Sequence, residues 1–209
     1  MKNLSRSPFL LLCLVLGFPT GAVIGQEEEE SQSREAKIEI KGVKVEAQKT
    51  PDFSVSNTSP KKWKAKSWLE METVFEGKLR DRKAEFIETL TFNYFLILKG
   101  GGRDERRTLT GEIVYVNIPI GEKVAAVAYV SPSSLLKVTG KKAFSSGDVS
   151  FWGLDIYYGG KSVGWESSNN KKWWDSEKAP PKVSGMVLNK KQTPFAPLWG
   201  DFHVDVSSK

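Results

Sequence analysis

Phe86-Ile87-Glu88-Thr89-Leu90-Thr91-Phe92-Asn93-Tyr94-Phe95-Leu96-Ile97-Leu98-Lys99 is the stretch that decides the fold. Aromatic and β-branched side chains dominate it, which favours a strand over a helix. Its second half is apolar at every position from Tyr94 to Leu98, so both faces of that strand must be covered, as in the middle of a sandwich. Gly100-Gly101-Gly102-Arg103-Asp104 follows, and Leu109 to Val116 resumes a strand pattern. A glycine-rich loop could cradle phosphate, but no Lys-Ser/Thr and no helix start follow it, so a hairpin turn is expected instead.

The same two-residue alternation extends in both directions. Upstream, Ile38 and Ile40 alternate with charged residues; Gly42 shifts the register by one, and Val43 and Val45 continue, a pattern that predicts a β-bulge. Thr50–Lys62 reads as a loop, and Trp63 to Phe75 as a strand, because Thr73-Val74-Phe75 closed by Gly77 outweighs a competing helical stripe at Trp68, Met71, Val74 and Phe75. Downstream, Lys123–Val130 reads as a strand apolar on both faces. Ser131-Pro132 then opens one short helix that must end by Gly140. Asp148–Tyr158 and Lys161–Glu166 flank Gly159-Gly160, a hairpin signal. Val183–Leu188 is a further strand, Thr193–Asp201 an extended Pro-punctuated segment, and Phe202–Val206 alternates to the end. Eight or nine strands at turn intervals of about ten residues, with no strand-helix alternation, predict an all-β sandwich.

The N-terminus reads differently. Lys2 and Arg6 precede an apolar run from Pro8 to Phe18, then small residues, which is the pattern of a secretory signal peptide. Cleavage after Gly25 or after Ala22 fits, and the run is too short for the ~20 residues of a spanning helix. Cys13 lies inside that run behind the large Leu12, which argues against lipidation. Three segments are expected: a signal peptide over 1–25, a flexible acidic leader over 26–35 and a single β-sandwich domain over 36–209. Export to the periplasm or outer cell surface follows, with no stable membrane insertion after cleavage and no nucleic-acid partner.

Composition narrows the chemistry. The chain has 209 residues, 1 His and 1 Cys, so a metal cage or a thiol or imidazole site has almost nothing to be built from, and neither metal nor cofactor is expected. His203 reads as a sheet-surface residue. Carboxylate pairs such as Glu70 and Glu72, Glu88 and Asp104, or Asp155 and Asp201 are the minimum for a glycosidase, yet no pattern sets an acid beside a base, and Glu70 and Glu72 read as a solvated strand face. The expectation is a protein without enzymatic activity. The net charge of +6 is spread over short groups such as Lys171-Lys172, as on a solvated surface.

The 7 Trp, 5 Tyr and 11 Phe point instead to binding. Trp and Tyr carry flat apolar faces with polar edges, suited to sugar rings and to protein interfaces. Trp68, Trp152 and Trp165 lie on strands and are expected in the core. Trp173 and Trp174 lie in a polar loop, where they either bind or plug the sandwich, and with Lys171, Lys172 and Tyr158 they form the candidate binding set.

At Trp68-Leu69-Glu70-Met71-Glu72-Thr73-Val74-Phe75, Trp152-Gly153-Leu154-Asp155-Ile156-Tyr157-Tyr158 and Thr193-Pro194-Phe195-Ala196-Pro197-Leu198 the chain resembles small exported proteins of Verrucomicrobia encoded beside type IV pilus-like genes. The resemblance spans most of residues 36–209. It implies an immunoglobulin-like sandwich related to pilin-type domains, without enzymatic activity, in an accessory or adhesive envelope role with pilus-assembly proteins as partners. The N-terminus lacks a prepilin junction, which argues against a directly polymerised pilin. A carbohydrate-binding module with glycans as ligands is the alternative.

Overall fold

The computed structural model describes residues 36–208 except 55, 60, 82 and 101–105. The expected signal peptide, the acidic leader, Asp104 and most of the glycine-rich turn lie outside the described residues. Ten strands are described, in two sheets. β1 (Ala36–Lys49), β2 (Ser67–Leu79), β5 (Lys123–Val130) and β9 (Val187–Asn189) form the first sheet in the order β1-β2-β5-β9, all antiparallel. β4 (Thr108–Pro119), β3 (Phe86–Leu98), β6 (Val149–Tyr158) and β7 (Lys161–Ser167) form the second, extended beside β4 by β10 (Asp205–Val206) and by the parallel β8 (Lys182–Val183). This is the all-β sandwich that the alternation predicts.

Local signals translate directly. The register of β1 against β2 shifts between Ile40 and Gly42, as the break in alternation requires. The helix α1 spans Pro132–Thr139; the Ser131 hydroxyl accepts from the Ser134 N–H, and Gly140 closes it at φ 69° with its N–H on the Leu136 carbonyl. Gly159 and Gly160, both at positive φ, turn β6 into β7. The two sheets bury Leu90, Phe92, Tyr94 and Leu96 of β3 against Leu69, Met71 and Phe75 of β2 and Ala126, Ala128 and Val130 of β5. Each such large side chain is worth about 1.5–3 kcal/mol of transfer free energy. Tyr115 of β4 ties the layers together through polar contacts: its hydroxyl lies 3.0 Å from that of Tyr94 and donates to the Val127 carbonyl of β5 at 2.8 Å. Burial pushes both phenols above their ordinary range.

The C-terminal stretch departs from its reading. Val183–Leu188 is not one strand. Gly185, at φ 82°, turns the chain between β8 in the second sheet and β9 in the first. β9 then sits so close to β4 that a Cβ on Gly111 would lie 2.6 Å from Val187, which joins the sheets along that side. From Lys190 the chain crosses the outer face of the first sheet, meets β5 through Ala125 and His203, and reaches β4 as β10.

That crossing overturns two expectations. Glu70 is 3% and His203 6% exposed, where a solvated face and a sheet-surface residue were expected. Phe195 stacks on Tyr129 at 4.6 Å and meets Trp68 edge-on at 5.8 Å, within a small second core with Val127 and Leu198, while Trp199 and Phe202 lie against the His203 ring at 5.7 and 5.4 Å. The pKa of the Glu70 carboxyl is raised, first by desolvation, while Gln48 donates to it at 3.2 Å. Lys190 is lowered by the same desolvation.

His203 Nε2 lies 3.1 Å from Glu72 Oε2; desolvation holds the imidazole below its ordinary 6.5, with Glu72 opposing the shift and Lys190 adding to it. As pH falls through 6.5 the unfolded chain therefore takes up this proton before the folded one does. The stability present above that value is lost on acidification toward the depressed folded pKa. The melting temperature is expected to fall between about pH 7.5 and 5.5, with a shallower slope in His203→Gln. Equal slopes in the two proteins would contradict this.

Candidate functional site

The outer face of the second sheet carries the aromatic cluster. Strand alternation aims Phe95 and Ile97 of β3, Phe151, Gly153 and Asp155 of β6, and Trp165 of β7 away from the main core. Residues 168–181 then cross this face, with a single 3₁₀ turn at Trp173–Asp175. Trp174 lies flat on Phe95, 4.8 Å between centroids and 5° between planes, and touches Trp165 edge-on at 6.5 Å. Its seat exists because residue 153 is glycine. Trp173 stands edge-on to Trp174 at 5.6 Å, leans toward Phe151 at 6.2 Å and 49°, and its indole N–H donates to the Trp152 carbonyl at 3.4 Å.

An ion pair with a buried carboxylate fastens the loop. Lys172 Nζ lies 2.7 Å from Asp155 Oδ2, Ser162 Oγ donates to Oδ1 at 2.6 Å, and the Tyr157 hydroxyl donates to Oδ2 at 3.2 Å. Lys172 also lies 5.8 Å from the centroid of Trp165, a cation–π contact. With its oxygens engaged in this way Asp155 is a fastener; Asp201 sits in the turn that docks on the first sheet, so the two acids are not brought together.

Of the sequence-selected residues, the structure gathers Trp173, Trp174 and Lys172. Trp174 is only 2% exposed, so it plugs the sheet face and presents no ring to solvent. Lys171 is exposed, with its N–H on Ser167 Oγ at 3.0 Å. Tyr158 belongs to the opposite face of β6, packed against the main core, and is not part of this cluster. Trp152 is half-buried against that core and Trp68 against the smaller one, but Trp165 is 41% exposed rather than buried, because β7 ends the sheet and the crossing loop covers it only in part.

Sequence reasoning missed Phe95, Phe151, Gly153 and Arg106. Gly153 alone carried a local signal, since a glycine inside an apolar strand marks a close approach. Two hollows flank the loop. The larger, about 630 Å³, has Asn93, Glu112, Trp174 and Lys182 among its walls; the smaller, about 280 Å³, opens between Phe151 and Trp173. Among the described residues no group of three or more His, Cys, Asp or Glu could hold a metal ion, and no helix is long and apolar enough to cross a membrane.

Comparison with known proteins matches this architecture. A crystal structure of a protein from Akkermansia muciniphila superposes with a TM-score of 0.71 at 26% identity, covering 84% of this chain and 94% of that one. No curated protein matches the sequence. One protein-family model runs over residues 29–209, taking in both sheets, α1 and the aromatic crossing loop, and the chain belongs to that family.

Proposed function

We propose that this protein is a non-enzymatic, exported envelope protein with an immunoglobulin-like sandwich, an accessory or adhesive component of a type IV pilus-like assembly that acts through protein contacts in the periplasm or at the outer cell surface. The signal-peptide pattern and the resemblance to verrucomicrobial proteins support export and setting. The similar fold from Akkermansia muciniphila, itself a verrucomicrobium, is in keeping with that setting. Of the acid pairs, Asp155 is engaged by Lys172, Ser162 and Tyr157 and lies apart from Asp201.

One observation carries the contact role. Trp199 adopts φ 52°, a left-handed backbone that a bulky residue rarely takes, held by N–H groups of Phe202 and His203 that donate to its carbonyl at 3.2 and 2.9 Å. The strained turn leaves Trp199 and Phe202 each 47% exposed, both against the His203 ring, at 5.7 and 5.4 Å, on the first sheet's outer flank. Aromatic anchors on a rigid turn are what protein interfaces use as their energetic centre. Affinity capture from envelope fractions tests it. Pilus-assembly proteins should co-purify with the wild type and be reduced about tenfold or more with Trp199→Ser/Phe202→Ser. A wild-type protein that captures no assembly component, or a double variant that captures as well as wild type, counts against the reading.

A further inference from the structure

We infer that the hollow between Phe151 and Trp173 is a binding site for one acidic sugar residue. It lies on the second sheet, away from the Trp199–Phe202 turn, and is independent of the protein-contact role. The larger hollow is a weaker candidate: its aromatics, Trp174 and Phe95, are 2% and 9% exposed, so neither offers a face to a ligand.

The smaller hollow offers such a face. Phe151 is 40% exposed on a paired strand, and Trp173 is held by its indole bond to Trp152 and its contact with Trp174, so the wedge between their rings is set before any ligand arrives. Ile97 and Pro180 complete an apolar floor. Its volume of about 280 Å³ falls just below the ~300–1,000 Å³ of sites for drug-sized ligands, which suits a single ring. A pyranose has an apolar C–H face to lay against an aromatic and hydroxyls around its rim.

Polar groups stand where that rim would be. Asn169 Oδ1 already accepts from Ser167 Oγ at 3.2 Å and from the Lys171 N–H at 3.3 Å, which leaves its amide nitrogen to donate to a hydroxyl. Arg106 and Lys178 also line the hollow, and among the described residues no acidic side chain does. Two cations lining one hollow favour a ring bearing carboxylate or sulfate, and the arginine fork suits either group.

The test is titration of the whole mature chain with sialyllactose, a hyaluronan tetrasaccharide and a chondroitin sulfate tetrasaccharide, followed by calorimetry and tryptophan emission. Lactose and a hexaglutamate peptide serve as controls. At least one acidic sugar should saturate with a Kd of about 1 mM or tighter, and Phe151→Ala or Arg106→Gln should each weaken it about tenfold. Phe151 is partly exposed, so an unchanged melting temperature will show that Phe151→Ala still folds. Trp199→Ser/Phe202→Ser should bind the sugar normally, which separates this site from the protein-contact role. The inference is overturned if no acidic sugar saturates, if lactose binds equally well, if hexaglutamate binds equally well with the same dependence on Arg106, or if both site variants bind like wild type.

Discussion

Alanine at position 153 is expected to cost about 3 kcal/mol of stability and to move tryptophan emission to longer wavelength. A Cβ there would lie 2.1 Å from Cζ3 and 2.5 Å from Cε3 of Trp174, distances at which one of the two must leave. The indole is a rigid bicycle pressed flat on Phe95, so it cannot yield by a bond rotation in place; the loop around Trp173–Asp175 has to lift. Lifting forfeits the stack and exposes an indole that is otherwise 2% accessible. Gly164→Ala is the control, since its nearest neighbour would be Ile38 at 3.5 Å, an ordinary contact. Urea unfolding with emission spectra checks both. A Gly153→Ala protein as stable and as blue in emission as wild type would mean that Trp174 is not seated as described.

Phe195→Ala is expected to destabilise by about 3 kcal/mol, the lower end of the range for truncating a buried phenylalanine. The ring is 1% exposed and stacked on Tyr129 within 3° of parallel. Its loss opens the small core over Val127 and Tyr129. Relaxation of the segment limits the cost, since β9 and β10 span only Val187–Asn189 and Asp205–Val206. Trp199, whose ring stacks loosely on Phe195 at 6.4 Å, should lose its orientation as well. Trp199→Ala itself should stay within about 1 kcal/mol, because half of that side chain already faces water. Denaturant unfolding by far-UV circular dichroism measures both, and a Phe195→Ala cost no larger than that of Trp199→Ala would show that this second core contributes little.

Several elements were legible because their causes are local. Ser131, Pro132 and Gly140 define α1 through a cap, a preset φ and a left-handed exit, all within ten residues. The Gly159-Gly160 turn and the register shift at Gly42 are equally short-range. The aromatic set was legible only in part. Its membership depends on which face of β6 each side chain takes, and on a loop that returns to that strand: Trp173 and Lys172 arrive there, whereas Tyr158, one residue beyond Tyr157, points to the other side. Nothing near Phe151 in the sequence announces that Trp173 will lean over it.

The sequence by itself determined the sandwich and its principal strands, because alternation and turn residues act over a few bonds, and it carries only 1 His and 1 Cys. Only the tertiary structure decided which outer faces are covered. Glu70 and His203 are buried, and Trp165 is exposed, according to where residues 168–181 and 190–204 cross the sheets. An outward-facing strand position has the same local pattern whether water or another segment lies over it. Its burial is settled by contacts such as His203 with Glu72, 131 residues apart.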